Sequence, residues 1–212
     1  MLVITGTQRS GTSMTAQYLT KMGINVGSDL WHDDINGGLE NIDICLWYRK
    51  KLKIPDFPFS DLPEKEDFID LKDMDLKAVK FSFLLMQPEL VRIWLKERHG
   101  KKDKFLVLMR NLHDVFKSKR STPERRERFK KDTAILNQNV PMLYQNFHHS
   151  LQLLAAAHAD VRLFSFPDIC YNLDLPKTLY IWGGIPEANS PKGHLEWENL
   201  VDHNKITNGQ KR

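Results

Sequence analysis

Cysteine is nearly missing from this chain: its 212 residues hold two, Cys45 and Cys170. They lie far apart and neither has metal-ligand spacing, so two cysteines make no disulfide framework and no cysteine-based metal site. A reducing compartment is the simpler setting for such a chain. Long apolar runs are missing as well, since none approaches the ~18 residues of a membrane span. The opening "MLVITG" enters a strand at once, which leaves no room for a signal peptide and leads to the expectation of a cytoplasmic protein. Internal repeats and low-complexity tracts are absent. So is the interleaving of aromatic and basic residues that single-stranded nucleic-acid binders use, and no nucleic-acid partner is expected. Charge of one sign is in small excess: 31 basic against 27 acidic residues leave +4, with a pI near 9.0. That balance is too mild for a nucleic-acid-binding tail and suits an anionic ligand.

What is present is an alternation of short apolar runs with helical periodicity. "LVITG" is a buried-strand pattern ending in glycine, and residues 12–22 follow with Met14, Tyr18, Leu19 and Met22 at helical spacing. "INVG" reads as a second short strand, and "LENIDICLWYRKKL" as a helix. Residues 53–75, with Pro55, Pro58 and Pro63 among aspartates, read as a surface excursion. "LKAVKFSF" reads as a strand and "QPELVRIWLKERHG" as a helix with Pro88 in its first turn and Gly100 at its end. "KFLVLMRN" is the clearest strand. "DVFKSKR" starts a helix, residues 123–157 hold one long helix or two, and "DVRLFSF" is a further strand. "PDICYNL" and "LPKTLYIWGG" read as short helices, and 188–212 as a tail. The alternation predicts an α/β fold, a parallel sheet flanked by helices on both faces, in one domain over 1–212.

The chemistry starts in "GTQRSGTS". Gly6 allows a sharp exit from the first strand and Gly11 lets backbone approach a ligand. The N–H groups of residues 8–13 and the helix N-terminus, with about half a positive charge, make an anion cradle. Ser10, Thr12 and Ser13 add hydroxyls. A nucleotide hydrolase has G-x-x-x-x-G-K-[ST]; here its lysine position is Thr12, and the loop's cation is Arg9. A ligand less charged than a triphosphate follows, with Arg9 stabilising charge on a leaving oxygen and no metal required. Arg110 falls at the end of the strand "FLVLM", where open α/β sheets bind ligands, and Ser118 lies about two helical turns on. The pair fits a second phosphate, although Arg110 is also placed to pair with Asp114 and close a turn.

Together these segments resemble the sulfotransferase family, whose members carry [KR]-S-G-T-[ST] and R-N-P-x-D-x-x-x-S. Here the first is Arg9-Ser10-Gly11-Thr12-Ser13. The second runs Arg110-Asn111-Leu112-His113-Asp114-Val115-Phe116-Lys117-Ser118, with Leu112 in place of proline. "GGLENIDICLWYRKKL" is similar to a glycine-rich turn and glutamate before a helix in bacterial members, and "LFSFPDICYN" to the family's late strand and turn. The likeness runs through residues 2–120 and is faint beyond. It implies a P-loop nucleoside-triphosphate-hydrolase-like fold and the donor 3′-phosphoadenosine 5′-phosphosulfate. The implied reaction moves a sulfuryl group to a hydroxyl or amine of a small-molecule or glycan acceptor. It assigns the 5′-phosphosulfate to Thr7, Gln8, Arg9, Ser10, Gly11, Thr12 and Ser13, and the 3′-phosphate to Arg110 and Ser118.

An acceptor hydroxyl must lose a proton, so a general base is expected. Glu40, after Gly37-Gly38, is the first candidate; the alternative is a surface glutamate at a helix start. His32 in "LWHDDIN" is the second, and as a loop histidine it also fits a solvated side chain. Lys80 ends the strand "AVKF" and either touches the sulfate or acceptor or is an ordinary edge residue. The run from Arg120 to Asp132 reads as a solvated helix face or as a guard of the 3′-phosphate. Near the end, Lys192 and Trp197 resemble the family's segment that covers the nucleotide. Two rivals remain: a small-molecule or nucleotide kinase using ATP, and a catalytically inactive nucleotide-binding module of the same fold.

Overall fold

The computed structural model describes residues 1–7, 10–27, 30–31, 39–53, 69–111, 113–115, 140–166, 168–171 and 174–201. A four-stranded parallel sheet has the order β4-β1-β5-β6. Its strands are β1 (Leu2–Gly6), β4 (Ala78–Lys80), β5 (Lys104–Met109) and β6 (Asp160–Ser165). Strand β1 lies between β4 and β5, pairing Leu2 with both Ala78 and Lys104, and every one of its residues is buried. A separate antiparallel pair joins β2 (Leu30–Trp31) to β3 (Glu40–Asn41), with Trp31 opposite Glu40.

Side chains alternate across a strand, and here the alternation separates two cores. Val3, Val79, Phe105 and Val107 face one side. That side is covered by α2 (Ile42–Leu52), α3 (Pro88–Glu97) and α4 (Val140–Ala156), through Ile44, Trp47, Trp94 and Leu154 among others. Leu2, Ile4, Ala78, Leu106 and Leu108 face the other. They meet α1 (Thr12–Lys21), α5 (Asp168–Tyr171), α6 (Asp174–Ile181) and α7 (Pro191–Leu200), through Tyr18, Ile169, Leu179 and Trp197. This is the parallel sheet flanked by helices that the sequence pattern predicts. Among the described residues no helix is long and apolar enough to cross a membrane.

The differences from the sequence expectation are local. "INVG" is not a strand: Ile24 donates its N–H to the Leu19 carbonyl (3.0 Å) in the turn that ends α1. Ile24 and Val26 are apolar because they are buried in the second core. Strand β4 stops at Lys80, and the apolar residues after it form a 3-10 turn, Leu84–Met86, buried in the first core. The end of the 53–75 excursion is packed rather than superficial. Residues Leu71–Asp73 form a 3-10 turn, with Leu71 and Met74 in the core. Residues 191–200, expected within a tail, are helix α7, and Trp197 sits against Tyr18 with ring centroids 5.3 Å apart. Trp197 is therefore a core residue, not a nucleotide cover.

One feature of the winding positions the site. After β1 the chain enters α1 on one face of the sheet, whereas α4, the helix before β6, lies on the other. Where neighbouring strands send their connections to opposite faces, an open α/β sheet has its ligand crevice at the carboxyl ends of those strands. The two strands are β1 and β5.

Candidate functional site

At the carboxyl end of β1 the chain must turn within a few residues into α1. Gly6 has φ 144° and packs so closely on β5 that a Cβ there would lie 1.9 Å from the Leu108 carbonyl oxygen. Thr7 continues the ladder by donating its N–H to that same carbonyl (2.9 Å). Its hydroxyl oxygen then accepts the Arg110 N–H at 2.8 Å. The first loop and the end of β5 are thus hydrogen-bonded to each other. Ser10 is fully buried and its hydroxyl donates to the Thr7 carbonyl, bracing the loop from inside. Gly11, at φ 90°, is the N-cap of α1 and has no side chain to bond the first N–H groups. The first helical turn carries no acidic residue. Helix geometry leaves those first N–H groups without intrahelical acceptors, so the end of α1 keeps its partial positive charge toward the loop.

The second half of the site comes from β3 and β4. Leu39 has φ 67°, a left-handed conformation that is unfavourable for a residue with a Cβ by ~1–2 kcal/mol. It delivers Glu40 into the β2–β3 pair, and Asn41, not Glu40, caps α2 by accepting the Ile44 N–H at 2.9 Å. Glu40 is therefore not a surface glutamate at a helix start: it is 3% exposed. Its Oε1 accepts the Lys80 ammonium at 2.7 Å and the Ser82 hydroxyl at 2.9 Å, while Oε2 faces the Ser82 N–H at 3.4 Å. Lys80 ends the edge strand β4 yet is 1% exposed, because it is a buried ion-pair partner of Glu40. The Ser82 oxygen lies 3.1 Å from Oγ1 of Thr12, the residue at the hydrolase lysine position. A buried polar chain therefore runs Lys80–Glu40–Ser82–Thr12 from β4 to the first turn of α1.

Beneath it lies Cys45, fully buried in α2. Burial, with the Glu40 charge adding, pushes its thiol well above the ordinary range, so it stays a neutral packing group and not a nucleophile. Cys170 is likewise buried and is raised to about 11 by desolvation.

On the other flank, the Arg110 guanidinium lies 5.1 Å from the centre of the Phe166 ring, just past β6. The Phe166 ring in turn stands against Gly11, where a Cβ would be 3.1 Å from its Cδ2. The structure thus brings Thr7, Ser10, Gly11, Thr12, Ser13, Glu40 and Arg110 to the carboxyl end of the sheet. Gln8, Arg9, His32, Ser118 and the basic run 120–132 lie outside the described residues. Among the described residues, no group of three or more histidines, cysteines or carboxylates is placed to hold a metal ion.

Ser82 and Phe166 escaped the sequence reading. A signal for Ser82 exists: Lys80 and Ser82, two residues apart, are the polar positions in the run "AVKFSFLLM", and such interruptions of a buried run mark a polar site. Phe166 carries no such signal, because an aromatic after a strand is ordinary core chemistry.

Set against protein-family models, curated proteins and solved structures, the chain finds no match in any of the three.

Proposed function

We propose that this chain is a sulfotransferase, moving a sulfuryl group from 3′-phosphoadenosine 5′-phosphosulfate to a hydroxyl or amine of a small-molecule or glycan acceptor. The observation that carries the reading is the bond from the Arg110 N–H to the Thr7 hydroxyl oxygen, 2.8 Å. It joins the segments that resemble the family's two phosphate motifs, at the carboxyl ends of adjacent strands, where a ligand with two anionic groups would span them.

In this reading the loop from Thr7 to Ser13 holds the 5′-phosphosulfate through backbone N–H groups and the end of α1, and Arg9 stabilises the charge that develops on the leaving oxygen. Arg110 and Ser118 hold the 3′-phosphate. The acceptor atom forms its bond to sulfur as the bond from sulfur to the 5′-phosphate oxygen breaks, releasing adenosine 3′,5′-bisphosphate. Glu40 takes the acceptor's proton, with His32 the other candidate. Lys80 and Ser82 anchor Oε1, which orients Oε2 of Glu40 for that task. Replacing a buried ion pair by apolar residues is often neutral or stabilising, so the Glu40–Lys80 pair is better explained by chemistry than by stability. A cytoplasmic setting belongs to the same reading and fits two buried, unpaired cysteines.

Calorimetry tests it. Adenosine 3′,5′-bisphosphate should bind without metal and more tightly than magnesium-ATP, and Arg9→Ala and Arg110→Ala should each lose ~1.5–3 kcal/mol of that binding. Magnesium-ATP bound as tightly as the bisphosphate, with metal-dependent turnover, would replace this reading by the kinase one. Intact bisphosphate and donor affinity without turnover across a broad acceptor panel would leave a binding module.

A further inference from the structure

We infer that Phe166 is a specificity-setting positioning residue, holding the Arg110 guanidinium so that the site prefers a ribose phosphorylated at both ends. The inference rests on the donor reading above and extends it to a residue outside both motifs. Phe166 has two neighbours that belong to the two phosphate motifs. The face of its ring carries the Arg110 guanidinium at 5.1 Å, within the range of a cation–π contact. Its edge stands at Gly11, the turn residue of the first loop, where added carbon would come within 3.1 Å of Cδ2 and 3.4 Å of Cε2.

The ring is itself held by the sheet. Met109 pairs with Ser165, and the Phe166 N–H donates to the Met109 carbonyl at 2.6 Å, so the strand that leads into Arg110 also fixes the backbone that carries the ring. An arginine side chain is long and loses much rotamer freedom when it binds a phosphate. A flat aromatic surface under its planar guanidinium pre-orders that geometry, and a leucine of similar bulk does not. The ring edge and the ring face therefore do different work: the edge supports the loop, and the face aims the arginine.

The experiment measures affinity for adenosine 3′,5′-bisphosphate and for AMP, by calorimetry, in wild type, Phe166→Tyr and Phe166→Leu. Wild type should prefer the bisphosphate, and Phe166→Tyr should keep that preference. Phe166→Leu should lower the preference roughly threefold to tenfold while AMP affinity stays near wild type. Should Phe166→Leu not fold, by circular dichroism, Phe166→Met takes its place with the same expectation. A preference unchanged in the leucine variant overturns the inference and leaves the donor reading standing. An equal loss for both ligands also overturns it, because Phe166 would then only pack the loop. A wild type that does not prefer the bisphosphate overturns the donor reading, and the inference with it.

Discussion

At the scale of single residues, the buried pair of Glu40 and Lys80 has the sharpest consequences. Each is almost wholly removed from water, and each is the other's charge partner at 2.7 Å. Lys80→Met would strand a buried carboxylate, and stability should fall by about 3–5 kcal/mol in urea unfolding. The double variant Glu40→Gln, Lys80→Met should recover most of that loss, since neither charge is then left alone. Transfer activity should disappear in both, which separates the chemistry of the pair from its contribution to folding. Sequence made Glu40 visible as a candidate through its neighbours Gly37-Gly38 but not its burial. Burial comes from the two-residue pairing of β2 with β3 and from the turn after β4, contacts set by distant parts of the chain. Ser82 was hidden for the same reason, since its role depends on Glu40 and Thr12, 42 and 70 residues away along the chain.

At the scale of elements, the strand-loop-helix unit is what the sequence displayed most openly. β1 and β5 are continuous apolar runs because both faces of each strand are covered, and such runs need no partner to be recognised. Short elements were less legible: "INVG" has the apolar content of a strand but ends a helix, because a turn residue packed into the core looks the same in sequence. The glycines of the unit differ in what they tolerate. Gly6→Ala would force a Cβ to within 1.9 Å of the Leu108 carbonyl, at φ 144°, and should destabilise by more than about 4 kcal/mol or abolish folding. Gly23→Ala, at φ 75° with nothing within 4 Å, meets only backbone strain and should cost about 1 kcal/mol. Thermal melts of the two variants check the contrast.

At the scale of the whole molecule, a second buried ion pair sits at the end of the sheet opposite the candidate site. Before the amino end of β5, Asp103 accepts the Arg98 guanidinium at 2.7 and 2.9 Å and the Trp94 indole N–H at 3.1 Å. Arg98 also reaches the carbonyls of Leu71 and Met74, tying the end of the long excursion to the sheet. Burial alone would raise the Asp103 carboxyl, but the bonds to Arg98 and its charge outweigh it and hold the group below its ordinary range. A depressed carboxylate contributes stability that is present above its unfolded value of about 3.9 and lost as pH falls through its folded value. Asp103→Asn should therefore be less stable than wild type at pH 7 by about 3–5 kcal/mol, with the gap in urea midpoint narrowing below pH ~4. Affinity of the folded variant for adenosine 3′,5′-bisphosphate should not change, because Asp103 and the loop after β1 lie at opposite ends of the strands.

The most direct measurement is a crystal structure with adenosine 3′,5′-bisphosphate bound. The expected result has one phosphate in the loop of residues 7–13 and the other within hydrogen-bonding reach of the Arg110 guanidinium, with the ribose between them across β1 and β5. A nucleotide bound away from the carboxyl ends of β1 and β5, or one whose 3′-phosphate points away from Arg110, would contradict the account.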